Sequence, residues 1–141
     1  MKKQAFTMIE LIFVIVVLGI LAAVAIPKFS ATRLDAQIAK GRGEVASIRS
    51  GIVSERQSRL IKGDSAWITK ANLDSGGLFG GVLMYPLQNQ PGKDGAWSTT
   101  AAGSGTYIYR AGGINTTFDY NNTTGTFNCT AGSGYCNQLV N

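Results

Sequence analysis

Apolar and polar positions divide the chain into three regimes. From Phe6 to Ile26, a stretch of 21 residues, only Thr7 and Glu10 are polar. A run of this kind predicts a helix that is hydrophobic all round and ~30 Å long, enough to cross a bilayer core. Beyond Pro27 a helical period appears: Leu34, Ile38, Val45, Ile48 and Ile52 recur at spacings of 4, 7, 3 and 4 residues. That is one face of an amphipathic helix. Charges at Arg33, Lys40, Arg42, Glu44, Arg49, Glu55 and Arg56 fill the remaining positions. Gly41 and Gly43 weaken the middle without breaking the phase. Lys62-Gly63 reads as a C-cap, with Asp64-Ser65 opening the next segment. One helix is therefore expected from Phe6 to near Ile61.

The third regime is richer in turn and strand residues. Asp64 to Leu87 reads as a variable connection that packs Trp67, Phe79 and Tyr85 onto the helix. Its paired glycines, Gly76-Gly77 and Gly80-Gly81, lack the Gly-Lys-Ser/Thr that a phosphate-cradling loop needs. Short β-type runs follow at Ala96–Thr100, Gly105–Arg110, Ile114–Tyr120 and Gly125–Cys129. Their even spacing and the Asn121-Asn122 turn signal predict an antiparallel meander. A sheet with one apolar face needs cover, and the amphipathic helix supplies it, which gives an α+β head.

Composition removes several chemistries. The 141 residues contain no histidine, so His-based triads, proton shuttles and most zinc sites are excluded. Isolated Ser, Asp and Tyr residues have no base beside them, and no enzyme constellation emerges. No cofactor and no metal site are predicted; Asp94 and Asp119 lack an informative calcium spacing. The net charge is +5, and seven basic residues lie between Lys28 and Arg59 (Lys28, Arg33, Lys40, Arg42, Arg49, Arg56, Arg59) against three acids. A solvated helix face accounts for them; anionic lipid, an acidic neighbouring subunit or DNA are other partners for such a stripe.

Lys2 and Lys3 precede the apolar run and place that end in the cytoplasm. A secretory signal cut after Ala25, behind Ala23-Val24-Ala25, and a plain signal anchor both fit the hydropathy. Glu10 fits neither, because an unpaired carboxylate in an apolar span costs on the order of 2.5 kcal/mol or more. The segment Ala5-Phe6-Thr7-Met8-Ile9-Glu10-Leu11 resembles the prepilin processing site of type IV pilins and type II secretion pseudopilins. The continuation Leu18-Gly19-Ile20-Leu21-Ala22-Ala23-Val24-Ala25-Ile26-Pro27-Lys28-Phe29 resembles the same family.

The resemblance implies a leader of residues 1–5, a transmembrane and polymerisation helix over 6–27, a helical stem over 28–62 and a head over 63–141. It implies cleavage by a membrane prepilin peptidase between Ala5 and Phe6, with methylation of the new amine on Phe6; Ala5 stands where the family usually has glycine. Glu10 would pair with the Phe6 amine of a neighbouring subunit, since two buried opposite charges satisfy one another. Gly19 and Pro27 are helix weak points, candidates for unwinding on assembly. The implied partners are other pilin-like subunits in a homo- or heteropolymer, membrane lipid, and an inner-membrane platform with its ATPase. Nucleic acid enters only for a competence-type pilus. The implied location is the bacterial inner membrane in a single pass, with the head in the periplasm. A head in that oxidising compartment is expected to join Cys129 to Cys136, as many type IV pilins do.

Asp119-Tyr120-Asn121-Asn122-Thr123 is similar to the extended acceptor of some bacterial oligosaccharyltransferases, making Asn121 a glycosylation candidate; a hairpin turn accounts for the same residues. The modest head points to a type II secretion pseudopilin as the expected function, and the cysteines point to the alternative, a pilin of a surface fibre for adhesion, motility or DNA uptake. A membrane-anchored binding protein that never polymerises is the alternative of another class.

Overall fold

A computed structural model describes residues 6–141. The elements run α1 (Met8–Ile61), α2 (Lys70–Leu73), β1 (Ala96–Ser98), β2 (Thr106–Ala111), β3 (Ile114–Asn121), β4 (Thr126–Cys129) and α3 (Cys136–Val140). The chain forms two compact units that divide between Asp35 and Ala36.

In the first unit α1 is apolar all round from Leu11 to Ile26, as its composition demands. Its large side chains from Met8 to Val24 are exposed, and an 18-residue window reaches a mean hydropathy of 3.1. The helix is long and apolar enough to cross a membrane. It begins at Met8 rather than Phe6, because Thr7 serves as its cap.

In the second unit the rest of α1 lies on a four-stranded antiparallel sheet of order β1-β2-β3-β4. Burial alternates along the strands, so Tyr107, Tyr109 and Ala111 of β2 and Thr116, Phe118 and Tyr120 of β3 face inward. They meet Ile38, Val45, Ile48 and Ile52 of α1, which are all buried. The seven-residue gap in that apolar stripe is filled by Gly41, also buried. Here the glycine is a contact and not a weak point: a Cβ on it would lie 2.5 Å from Tyr109 Cε1 and 2.7 Å from Leu139 Cδ2. Trp97, Phe79, Phe118 and Phe127 complete the core, with the Phe118 and Phe127 rings stacked at 5.2 Å.

Local chemistry sets the boundaries. Gly63 at φ 85° ends α1 in a Schellman motif, with Gly63 N donating to Leu60 O and Asp64 N to Arg59 O. Gly112 and Gly113, both at positive φ, form the two-residue turn between β2 and β3, whose ends Ala111 and Ile114 pair directly. β1 stops at Ser98, short of the Ala96–Thr100 expectation, because the Thr99 N–H donates to Asn89 Oδ1 and its hydroxyl to Ala101 and Thr106 carbonyls. In the connection, Phe79 is buried as expected and the Trp67 ring lies under Arg56, 4.1 Å from Cζ to centroid. Tyr85 is a correction: it is 81% exposed beside the exposed Met84 and is not packed into the helix face.

Candidate functional site

The start of α1 has a reciprocal cap. Thr7 Oγ1 accepts from Glu10 N at 3.3 Å, and Glu10 Oε2 accepts from Thr7 N at 3.2 Å and from the Thr7 hydroxyl at 3.0 Å. This is a capping box, which satisfies helix-terminal N–H groups that have no partner within the helix and sets a carboxylate at the positive end of the dipole. The charge in the apolar run is thus held by its own helix, with Phe6 exposed immediately before it. Its signal in the sequence is Thr-x-x-Glu ahead of an apolar run. α1 runs as one helix through both Gly19 and Pro27. A Cβ on Gly19 would meet nothing within 4 Å. Ala5, on one side of the expected cleavage point, lies outside the described residues with Lys2 and Lys3.

Several basic residues of the second unit are turned toward the head rather than left on a solvated face. Lys40 Nζ donates to Gly95 O at 2.6 Å. Arg42 donates to Gln138 O through Nε at 2.9 Å and Nη2 at 2.8 Å. Arg49 holds Phe127 O and Asn128 Oδ1, both at 2.9 Å. One of these bonds and one loop bond occupy sheet edges. Arg49 occupies a carbonyl of edge strand β4, while on edge strand β1 the Trp97 carbonyl accepts from Gln90 N. Edges covered in this way are poor templates for strand addition.

Glu44 was not anticipated as special. Its carboxylate accepts from Trp97 Nε1 at 3.0 Å and lies 3.6 Å from Lys40 Nζ. Burial pushes its pKa above the usual carboxylate range, while Lys40 and the Trp97 bond pull it back. Tyr109 is pushed up to about 12 by burial and by the nearby Glu44 charge. Its hydroxyl donates to Gln37 O at 2.6 Å. Asp74 is a second unanticipated hub: its carboxylate accepts from Tyr107 Oη, Phe79 N and Gly103 N. These bonds tie the 74–79 turn to β2 and to the loop before it.

Cys129 and Cys136 form a disulfide with Cα atoms 5.7 Å apart. Thr116, a buried polar residue, accepts from Tyr135 N, and Ser133 Oγ accepts from Thr117 N, so the enclosed loop is also pinned to β3. Asp94 accepts from Arg110 Nε and Gly113 N, and Asp119 accepts from the Thr106 and Thr130 hydroxyls. Both carboxylates are spent on protein groups. Among the described residues no three metal-ligating side chains converge. Asn121 ends β3 at an exposed hairpin, where its Oδ1 accepts from Thr123 N at 2.8 Å.

A family model described as the prokaryotic N-terminal methylation motif matches residues 1–26, the segment that contains Ala5, Phe6 and Glu10. In that segment the chain is similar to type IV pilin-like proteins. A relative outside that short motif extends the likeness: the type IV major fimbrial protein FimA of Dichelobacter nodosus is 27% identical over 99 residues, covering 60% of this chain and 64% of the relative. The match thus spans a little under two thirds of the relative's length. No solved structure matches the chain. The pilin-like architecture, a long N-terminal helix and a four-stranded antiparallel sheet, agrees with the α+β expectation.

Proposed function

We propose that this pilin-like chain is a structural subunit of a surface fibre of the type IV pilus kind, anchored in the inner membrane by α1 before assembly and polymerised through that helix. The observation that carries this reading is the N-terminal unit itself. A helix with uncovered apolar side chains on every side needs lipid or other helices around it. The one carboxylate of its apolar run, Glu10, stands one helical turn from Phe6, where a processed chain would carry its amine. In lipid that pair would set the axial register of one subunit on the next, because each charge is penalised unless it meets the other. A prepilin peptidase would release and methylate Phe6, and a membrane platform with its ATPase would supply the work. Covered sheet edges agree with assembly through the helix and not by strand exchange.

Two observations favour a surface fibre over a periplasmic secretion pseudopilus: the relative named above is a fimbrial protein, and a disulfide closes the loop from Cys129 to Cys136. Immunogold labelling of intact cells with a head-specific antibody tests it. Label along external fibres is the expected result; label that appears only after the outer envelope is opened returns the secretion pseudopilin. A mature N-terminus at Phe6, read by mass, is expected in either case, and a start at Ile26 would overturn both.

A further inference from the structure

The β3–β4 region holds four Asn-x-Thr tripeptides, starting at Asn115, Asn121, Asn122 and Asn128. Such tripeptides are acceptors for N-linked glycans, provided that they are exposed. The structure separates the four. At Asn115 the side-chain oxygen accepts from Arg110, and Thr117, two residues on, is half-buried, with its N–H on Ser133 and its carbonyl on Thr130 N. At Asn128 the oxygen is held by Arg49, the middle residue is the bridged Cys129, and the Thr130 hydroxyl donates to Asp119. At Asn122 the Thr124 hydroxyl is hydrogen-bonded to Thr126 at 2.8 Å.

Asn121 differs on each count. Asn121, Asn122 and Thr123 are all exposed at the hairpin tip. Among the described residues neither Asn121 Nδ2 nor the Thr123 hydroxyl is engaged, whereas Asn121 Oδ1 accepts from Thr123 N at 2.8 Å and Thr124 N at 3.4 Å. Hydrogen bonds to the amide oxygen draw electron density away from nitrogen and make its protons easier to lose. The Thr123 hydroxyl stands free for a transferase to read. Of the four asparagines only Asn121 has an acid, Asp119, two residues before it.

We propose that Asn121 is the acceptor of an N-linked glycan on the outward hairpin of the head. The donor class is a polyisoprenyl-pyrophosphate-linked oligosaccharide. A bond forms between Asn121 Nδ2 and the sugar C1, the bond from C1 to the pyrophosphate oxygen breaks, the lipid pyrophosphate leaves with the electron pair, and one Nδ2 proton passes to base. No oxidant or reductant is consumed. The glycan would cover the hairpin tip and leave the buried sheet face untouched. The proposal rests on the exported-head reading above.

The test is intact mass of the full chain purified from its own host, alone and as variants. A discrete mass increment is expected in the wild type. It is expected to vanish in Asn121→Asp, which keeps the oxygens that accept from Thr123 N and Thr124 N but lacks Nδ2, and in Thr123→Val. It is expected to persist in Asn115→Gln, Asn122→Gln and Asn128→Gln. Alkylation of Cys129 and Cys136 on the same samples reports export separately. Oxidised cysteines with no increment, or an increment that survives Asn121→Asp, overturn the proposal alone. Free thiols with no increment overturn it together with the exported-head reading.

Discussion

The Tyr109 ring lies against the backbone of Gly41, so close that a methyl group at position 41 would stand 2.5 Å from Cε1. Gly43, two residues on, faces open space, with nothing within 4 Å of the same methyl. Helix propensity alone favours alanine at both sites by up to ~1 kcal/mol. Packing reverses the sign at Gly41, where both Tyr109 and Leu139 would have to move, at ~1–3 kcal/mol. Gly41→Ala is therefore expected to lower the denaturant midpoint of the detergent-solubilised chain, and Gly43→Ala to hold or raise it. Equal effects at the two sites would remove the Tyr109 contact from the account.

The burial of Glu44 against the sheet makes stability depend on pH, with the Trp97 bond only offsetting part of the effect. Burial raises the Glu44 pKa in the folded state above its unfolded value, so the folded chain holds that proton more tightly. The contribution is fully present below the unfolded pKa and is lost as pH rises through the folded pKa. For one proton the slope is at most ~1.4 kcal/mol per pH unit. Glu44→Gln keeps an acceptor for Trp97 Nε1 and removes the titration. Unfolding midpoints measured upward from the ordinary carboxylate pKa are expected to fall in the wild type more steeply than in the variant. Parallel curves would contradict a raised Glu44 pKa.

Legibility followed the range of the interactions. The apolar stripe Ile38–Ile52, the Gly63 stop and the four strands depend on spacing and turn chemistry, and all can be read along the chain. The segment between α1 and β1 cannot, because its order comes from distant partners. Asp74 reaches Gly103 and Tyr107, 29 and 33 residues away, and Tyr120 Oη reaches Ile68 O, 52 residues away. Tyr85 shows the same blindness from the other side: an aromatic beside Pro86 predicts packing, yet its side chain is left on the surface. In the N-terminal unit Glu10 stands out by charge alone. Its bond to Thr7 is just as local, a Thr-x-x-Glu cap that the same spacing rules make readable.

The disulfide is not the sole restraint on the loop it closes. Reduction or the pair Cys129→Ser/Cys136→Ser is expected to cost ~2–3 kcal/mol, as for other short loops. The sheet should nonetheless persist, because Tyr135 N and Thr117 N keep their bonds to Thr116 and Ser133 and Leu139 stays buried. A far-UV spectrum that keeps its strand signal, with a lower melting temperature, is the expected pattern. Loss of the strand signal at 25 °C would assign the loop's order to the covalent bond.

Glu10 has two roles that a pair of substitutions separates. In the single chain its carboxylate caps α1 through Thr7, a bond worth ~1 kcal/mol to the first turn. In the proposed fibre its charge meets the Phe6 amine of a neighbour. Gln can fill the same place in a capping box but carries no charge. Glu10→Gln is therefore expected to leave amide exchange of the first turn near wild type in the membrane-inserted chain while fibre yield collapses. Thr7→Val, which keeps the charge but loses the cap, is expected to speed exchange at Glu10 N and to retain fibres. Glu10→Ala loses both. Normal fibres from Glu10→Gln would mean that the carboxylate serves the helix alone, and that register is set by apolar packing along α1.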